Sequence, residues 1–325
     1  MAGCVVDTSY LASPDFMVLA SHCISCLEIP VSIFGFYCII FKTPKEMISL
    51  KGLLLNLHFW STLSDICISF IGIPYIYYPE IAGYGLGLVN LSGFLYYLGL
   101  SLLTATVAST FAIFEDRYVK LSEENTLWRR YYRIPCLFLV YFSVPFHFLP
   151  PFLNIPEQEQ ARLHVMKALP CLPPFTYNNN MMFVASIDLK IPFICLVFSC
   201  MFFTGATLTF LGLTLKKLAS IKTRSAYSTK TIEFQRKLIR ATASTIIILL
   251  TPTLIVILLI ATRYHNQKLN NLVHLILSVH GIESTIVMVL VHKPYREIWT
   301  SRCLTGERHR DMRAHVGCVR NYGLS

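Results

Sequence analysis

Charge is what this 325-residue chain has little of: 14% of its residues are Asp, Glu, Lys or Arg, against about 25% in ordinary soluble domains. With 54% hydrophobic residues, that scarcity excludes one water-soluble core, because so much apolar side chain cannot be hidden from water. A polar linker between two domain-sized halves is missing too; apolar stretches recur along the whole chain with short polar gaps. Clustered histidine boxes, a nucleophile with its base and a second C-x-x-C are absent, which removes the usual starting points for a membrane di-iron centre, a nucleophilic enzyme or a zinc site. No internal repeat is visible, which weakens a transporter reading. No enzyme, cofactor or metal is therefore expected.

What is present is length in apolar runs. A helix needs about 20 apolar residues to cross roughly 30 Å of hydrocarbon, and seven stretches qualify: 16–41, 52–78, 86–114, 134–153, 191–215, 241–261 and 269–291. Unbroken runs of this length exclude a barrel of alternating short strands. The first lacks a basic segment before it and is too long for a cleaved signal, so it is expected to remain as span 1. The fold class is thus all-α, a seven-transmembrane helix bundle.

Orientation follows from Lys and Arg. The connections after spans 1, 3 and 5 and the tail hold 23 of the 28, the opposite side holds 4, and Lys190 marks the edge of span 5. The N-terminus is expected outside and the C-terminus inside. This asymmetry accounts for the net charge of +10 without nucleic acid as a partner, and draws anionic membrane lipid to the inner face.

Most of the eleven cysteines lie in apolar spans and read as small hydrophobes, Cys23 and Cys26 included. Only Cys4 and Cys171 fall clearly on the oxidising side, which leaves a bridge between them open. The Pro-rich stretch Leu169 to Pro174 reads as a stiff, extended loop suited to lying across the mouth of a bundle. Pro252, midway along span 6, marks a hinge or a static kink. After span 7, His292 to Leu304 patterns as an amphipathic surface helix, with Cys303 open to acylation.

Candidate functional residues are polar groups in apolar places. Asp116-Arg117-Tyr118 falls where span 3 meets the inner face; a carboxylate there can hold the arginine in a neutral pair and release it to a partner protein. The basic connection 216–240, with Lys230, Arg236 and Lys237, offers a docking face or simply sets topology. Glu28, Asp65 and Glu283 are acids within spans, costly enough to count as functional candidates. Phe94, Tyr96 and Tyr97 of span 3, with Asp188 and Lys190 at the edge of span 5, are candidates for a ligand cavity. His22, His58, His147, His274 and His280 read as satisfied interior groups. The sequon Asn90-Leu91-Ser92 lies too near span 3 to carry a glycan.

Several blocks together resemble one family: Lys51-Gly52-Leu53-Leu54-Leu55-Asn56-Leu57-His58-Phe59-Trp60, Phe114 to Tyr118, Ser228 to Lys237, His280-Gly281-Ile282-Glu283-Ser284-Thr285-Ile286, and His292-Lys293-Pro294-Tyr295-Arg296. The chain is similar to the nematode serpentine receptors of class H. The resemblance implies a seven-transmembrane receptor domain over 1–304 with a cytoplasmic tail over 305–325. It further implies display on the plasma membrane of sensory cilia, detection of an external small molecule such as an odorant, and coupling to a heterotrimeric G protein. A polytopic transporter or channel is the alternative. The chain lacks the cysteine at the outer end of span 3 and the Asn-Pro-x-x-Tyr of span 7 that rhodopsin-like receptors carry.

Overall fold

A computed structural model describes residues 8–122, 126–169, 172, 182–224, 229–297 and 299. Cys4, Cys171 and Cys303, most of the Pro-rich loop and the tail lie outside the described residues. Among the described residues, seven helices are long and apolar enough to cross a membrane. Spans 1 to 4 are Pro14–Phe41, Ile48–Gly72, Gly93–Leu121 and Trp128–Leu153. Spans 5, 6 and 7 belong to helices Lys190–Arg224, Thr229–Thr262 and Gln267–Val291.

Span 1 shows why these segments need lipid. Its buried residues include Ser21, Ser25, Glu28 and Ser32, spaced at three and four along one stripe, whereas Leu19, Leu27, Ile33 and Phe41 are exposed. A soluble helix arranges the two classes the other way round. In hydrocarbon the apolar side chains lose nothing by facing outward, and polar ones find partners only inside the bundle. The N-terminus of the span is set by Ser13, whose hydroxyl accepts from the Phe16 amide at 3.1 Å, and by Pro14 in the first turn.

Span 3 is the central helix. Ala105, Ala108, Ser109 and Ala112 are buried along it, and such small residues let neighbouring helices approach closely. Four of its hydroxyls are satisfied internally: Thr104, Thr106, Ser109 and Thr110 each donate to the carbonyl four residues back, at 2.8 to 3.1 Å.

Three expectations are corrected at the connections. Span 2 does not run to 78, nor does span 3 begin at 86. The chain leaves span 2 in a widened turn over Cys67–Gly72, swings through Ile73 at φ 40° and enters strand β1, Pro74–Ile76. This strand pairs antiparallel with β2, Ala82–Gly85, which in turn pairs with β3, Phe183–Val184. The all-helical bundle thus carries a three-stranded sheet at one end. A short apolar run without a periodic signal reads equally as the end of a helix or a buried strand. Gly83 permits the pairing, since a Cβ there would meet the Tyr75 carbonyl oxygen. The second correction concerns the connection before span 5, which holds a helix, Gln158–Ala168. Gln158 ties that helix to β3, accepting from Val184 N–H at 2.9 Å and donating to its carbonyl at 3.1 Å. Tyr75, Tyr77, Tyr84, Met17, Val165 and Leu172 fill the core beneath.

The third correction is the basic connection 216–240, which is helical over 216–224 and 229–240. The segment has no Gly or Pro and is rich in Lys and Arg, both good helix formers, so nothing breaks the helices where the apolar stretch ends. The span 6 helix has 34 residues, about 50 Å at 1.5 Å per residue, and projects well beyond a hydrocarbon layer of about 30 Å.

Spans 2 and 7 meet at Gly281, whose amide donates to Asp65 Oδ2. A Cβ at this position would lie 2.0 Å from that oxygen and 3.1 Å from Ser61 Oγ. Gly281→Ala therefore pries the two helices apart and is expected to cost about 1–3 kcal/mol, as overpacking does. Thermal melting of the detergent-solubilised protein should fall by several degrees; an unchanged melt would contradict the packing described.

Candidate functional site

Polar groups gather in three places: the end of the bundle opposite the sheet, the seam between spans 1, 2 and 7, and a cavity on the sheet side.

At the end opposite the sheet, Asp116 and Arg117 are both buried, with Arg117 only 3% exposed. Arg117 Nη2 pairs with Asp116 Oδ2, and Lys120 Nζ reaches the same oxygen at 2.9 Å. Arg133, from span 4, donates to Asp116 Oδ1 at 3.0 Å and lies 3.3 Å from Glu115 Oε2 through its Nε. Glu115 also accepts from Trp128 Nε1 at 2.8 Å. Two buried carboxylates are thus faced by three cations and an indole. A buried pair left with one partner would be costly, whereas this cluster compensates each carboxylate several times. Tyr118 turns away to pack its ring on Phe210 of span 5, which Phe111 and Trp128 also contact. Arg133 and Trp128 were not expected here. The signal for them was the acid pair Glu115-Asp116, which needs more cation than Arg117 alone supplies.

The block after span 7 splits by face. His292 and Tyr295 are buried, and Lys293 and Arg296 are exposed, with Pro294 between. Tyr295 hydrogen-bonds Thr43 at 2.7 Å, anchoring the chain after span 7 to the end of span 1, and stacks edge-on against His292. Lys293 makes an exposed pair with Glu297 at 3.6 Å. Burial pushes the His292 imidazolium down to about 4, and the charge of Arg117 acts in the same direction. Arg236 and Lys237 are exposed on the extended span 6 helix. Lys230 lies on the same helix, and its side chain is outside the described residues.

The depressed pKa of His292 carries a pH dependence. The unfolded chain binds this proton near pH 6.5 and the folded chain only near 4. Stability is therefore full above about pH 6.5 and lost progressively as pH falls toward 4, by on the order of 3 kcal/mol. His292→Gln should flatten that part of the melting-temperature profile between pH 7 and 4, and identical profiles would refute the assignment.

In the seam, Glu28 accepts from Ser69 at 3.1 Å, and Ser69 bonds Ser25 at 2.9 Å. Asp65 is held by the Gly281 amide, and Ser61 meets His280 Nδ1 at 3.1 Å. His58 is bonded to the Ser32 carbonyl at 2.9 Å. Glu283 faces a different neighbour, accepting from Ser244 at 3.0 Å and Thr245 at 3.3 Å, both on span 6. Glu28, Asp65 and Glu283 are therefore not one cluster; the first two belong to the seam and the third ties span 7 to span 6. No group of three or more His, Cys, Asp or Glu able to hold a metal occurs among the described residues.

The cavity has a volume of about 170 Å³ and lies between spans 3, 5 and 6, with Tyr78 and Ile81 of the sheet region at one end. Leu100, Val107, Phe203, Leu249 and Val256 supply much of its wall, and Pro252 lies in it. Of the five cavity candidates read from the sequence, Tyr96 lines it. Phe94 faces outward at 65% exposure. Tyr97 stacks on Phe152 and donates to the Pro145 carbonyl at 2.8 Å, so it joins span 3 to span 4. Asp188 caps the span 5 helix, accepting from the Lys190 amide at 3.0 Å, and both side chains are exposed. The sequon residues are used locally as well: Asn90 accepts from the Gly85 and Leu91 amides, and Ser92 caps span 3. Tyr78 was missed because it stood in an apolar run assigned to span 2.

A family profile described as "Serpentine type 7TM GPCR chemoreceptor Srh" matches residues 12–304. A curated relative, "Serpentine receptor class H-72" of Caenorhabditis elegans, is 27% identical over 319 residues, covering 90% of this chain and 87% of its own length. The seven helices, the caged arginine closing the third and a profile match over most of the chain lead to one assignment: the protein is a multi-pass membrane protein belonging to the serpentine class H family of chemoreceptors.

Proposed function

We propose that the protein detects an external small molecule, bound in the cavity between spans 3, 5 and 6, and activates a heterotrimeric G protein at the end that carries Arg117. The sheet end then faces outside and the Arg117 end the cytoplasm, in agreement with the Lys and Arg distribution. The observation that carries this reading is the position of Pro252. It borders the cavity, and it lies inside a span 6 helix that continues unbroken to the exposed Arg236 and Lys237. Proline removes the donor that would reach the carbonyl of Ile248, which makes this the softest point of the helix. A ligand that fits better when the helix bends there shifts the population toward an open inner face. Opening then frees Arg117 from Asp116 for a partner protein. Display on the plasma membrane, in the sensory cilia of chemosensory neurons, suits such a detector, with the basic ends of spans 5 and 6 lying against anionic lipid.

The test is nucleotide exchange on purified heterotrimeric G protein, with the receptor in vesicles and a panel of volatile and water-soluble chemicals. Exchange stimulated by at least one chemical, with no accompanying ion or solute flux, is expected. Flux without exchange would replace the receptor reading with a channel or transporter.

A further inference from the structure

Among the described residues, the wall of the cavity contains no charged side chain. An ion brought into it would lose its water and gain no counter-charge, which excludes carboxylates and ammonium compounds as good ligands. The wall does contain hydroxyls, and they differ in what they need. Those of Thr104, Thr110 and Thr253 are already donated to carbonyls of their own helices, at 2.8, 3.1 and 3.0 Å. Thr204 is hydrogen-bonded to Cys200. Ser199 and Thr207 sit on span 5, where a rotation about one bond brings such a hydroxyl onto the carbonyl a turn earlier.

The phenols of Tyr78 and Tyr96 have no such recourse, because a tyrosine hydroxyl is too far from its own backbone to bond it. Neither has a hydrogen-bond partner among the described residues, and the two lie within electrostatic reach of each other. Their rings are fixed from behind: Tyr78 stacks on His274 at 5.9 Å between centroids, and Tyr96 meets Phe183 of β3 at 6.5 Å. Burial raises the Tyr78 pKa well above its ordinary value, which keeps the hydroxyl a neutral donor. Between these groups, Val107, Phe203, Ile246 and Leu249 give the wall a broad apolar stretch. Both tyrosines line the cavity, and a ligand that brings an acceptor to an unpartnered phenol there gains a hydrogen bond that an apolar one does not.

We propose that the cavity takes an uncharged molecule with one hydrogen-bond-accepting head, a ketone, aldehyde or ester, on an apolar body, its head accepting from Tyr78 and Tyr96. The ligand site itself rests on the receptor reading above. The volume sets the size: a cavity of about 150 Å³ holds benzene, so the 170 Å³ here suits a ligand of roughly seven heavy atoms, near the short end of the series tested below. Discrimination comes from the two donors, since a site built to bond an oxygen rejects the analogue that lacks it.

The experiment measures direct binding to the purified full-length receptor in lipid nanodiscs. The probes are the straight-chain methyl ketones from 2-pentanone to 2-nonanone, with heptane, heptanoate and heptylamine as matched controls at pH 7. At least one ketone is expected to bind saturably and about tenfold more tightly than heptane, with heptanoate and heptylamine weaker than either. Tyr78→Phe and Tyr96→Phe should each weaken the ketone by about five- to tenfold and leave heptane unchanged. Absence of saturable ketone binding across the series, tighter binding of an ion, or ketone affinity indifferent to both substitutions would each overturn the proposal. Ketones that bind without stimulating nucleotide exchange would leave the cavity assignment standing and sink the receptor reading. Exchange driven by other chemicals, with no ketone bound, would do the reverse.

Discussion

Arg117→Ala receptor is expected to reach the cell surface in normal amount and to lose at least about tenfold of its ligand-stimulated nucleotide exchange. Two features make these effects separable. The fold tolerates the loss because Asp116 keeps Lys120 at 2.9 Å and Arg133 at 3.0 Å, so no carboxylate is left buried and bare. Signalling is expected not to tolerate it, because in the proposed mechanism the guanidinium is the group released when the cage opens. Its planar fork can pair with a partner's carbonyls or carboxylate as no shorter side chain can. Arg117→Lys should fall between, keeping the charge and losing the geometry. Surface staining controls for display, and exchange at the normal rate in the alanine variant would remove Arg117 from the mechanism.

Glu283→Ala acts in the opposite sense. Ser244 and Thr245 lie about two helical turns from Pro252, on the part of span 6 that must move when the helix bends. Their hydrogen bonds to Glu283 hold that part against span 7. Two such bonds contribute roughly 0.5–1.5 kcal/mol each, so removing them shifts the resting equilibrium toward the open state by about tenfold or more. Basal nucleotide exchange should rise by that factor with no ligand present. The bundle survives, since the two hydroxyls fall back on carbonyls of their own helix. Ser244→Ala with Thr245→Val should raise basal exchange similarly, and adding Glu283→Ala should add little, because all three substitutions break the same contact. Basal exchange unchanged in each variant, with ligand response intact, would show that the contact is not a latch.

The seven spans were legible because crossing lipid demands length and little else, and length is written directly into the chain. Their ends were less legible for a physical reason. At residues 74–85 hydrophobicity persists while the backbone changes from helix to strand, and only Pro74, Gly83 and Gly85 hinted at it. At 216–240 charge appears while the helix continues, so in the sequence a change of solvent looks like a change of structure. The Asp116-Arg117 pair was visible as a motif, but Arg133 was visible only as one more basic residue, since its partnership depends on how spans 3 and 4 approach. The cavity was the least legible part. Phe94, Tyr96 and Tyr97 are close in sequence and similar in chemistry, yet a helix turns Tyr96 by about 200° from Phe94 and Tyr97 by about 100° from Tyr96. One lines the cavity, one packs on span 4 and one faces outward. Sequence supplied the residues, and the rotation of span 3 decided among them.

Every functional assignment above depends on which way the chain threads the membrane. Epitope tags placed before residue 1 and after residue 325 of the full-length receptor, stained in intact and in permeabilised cells, test this directly. The N-terminal tag is expected to stain in intact cells and the C-terminal tag only after permeabilisation. Both tags on one face, or the reverse arrangement, would put the Arg117 cage or the cavity on the wrong side and contradict the account.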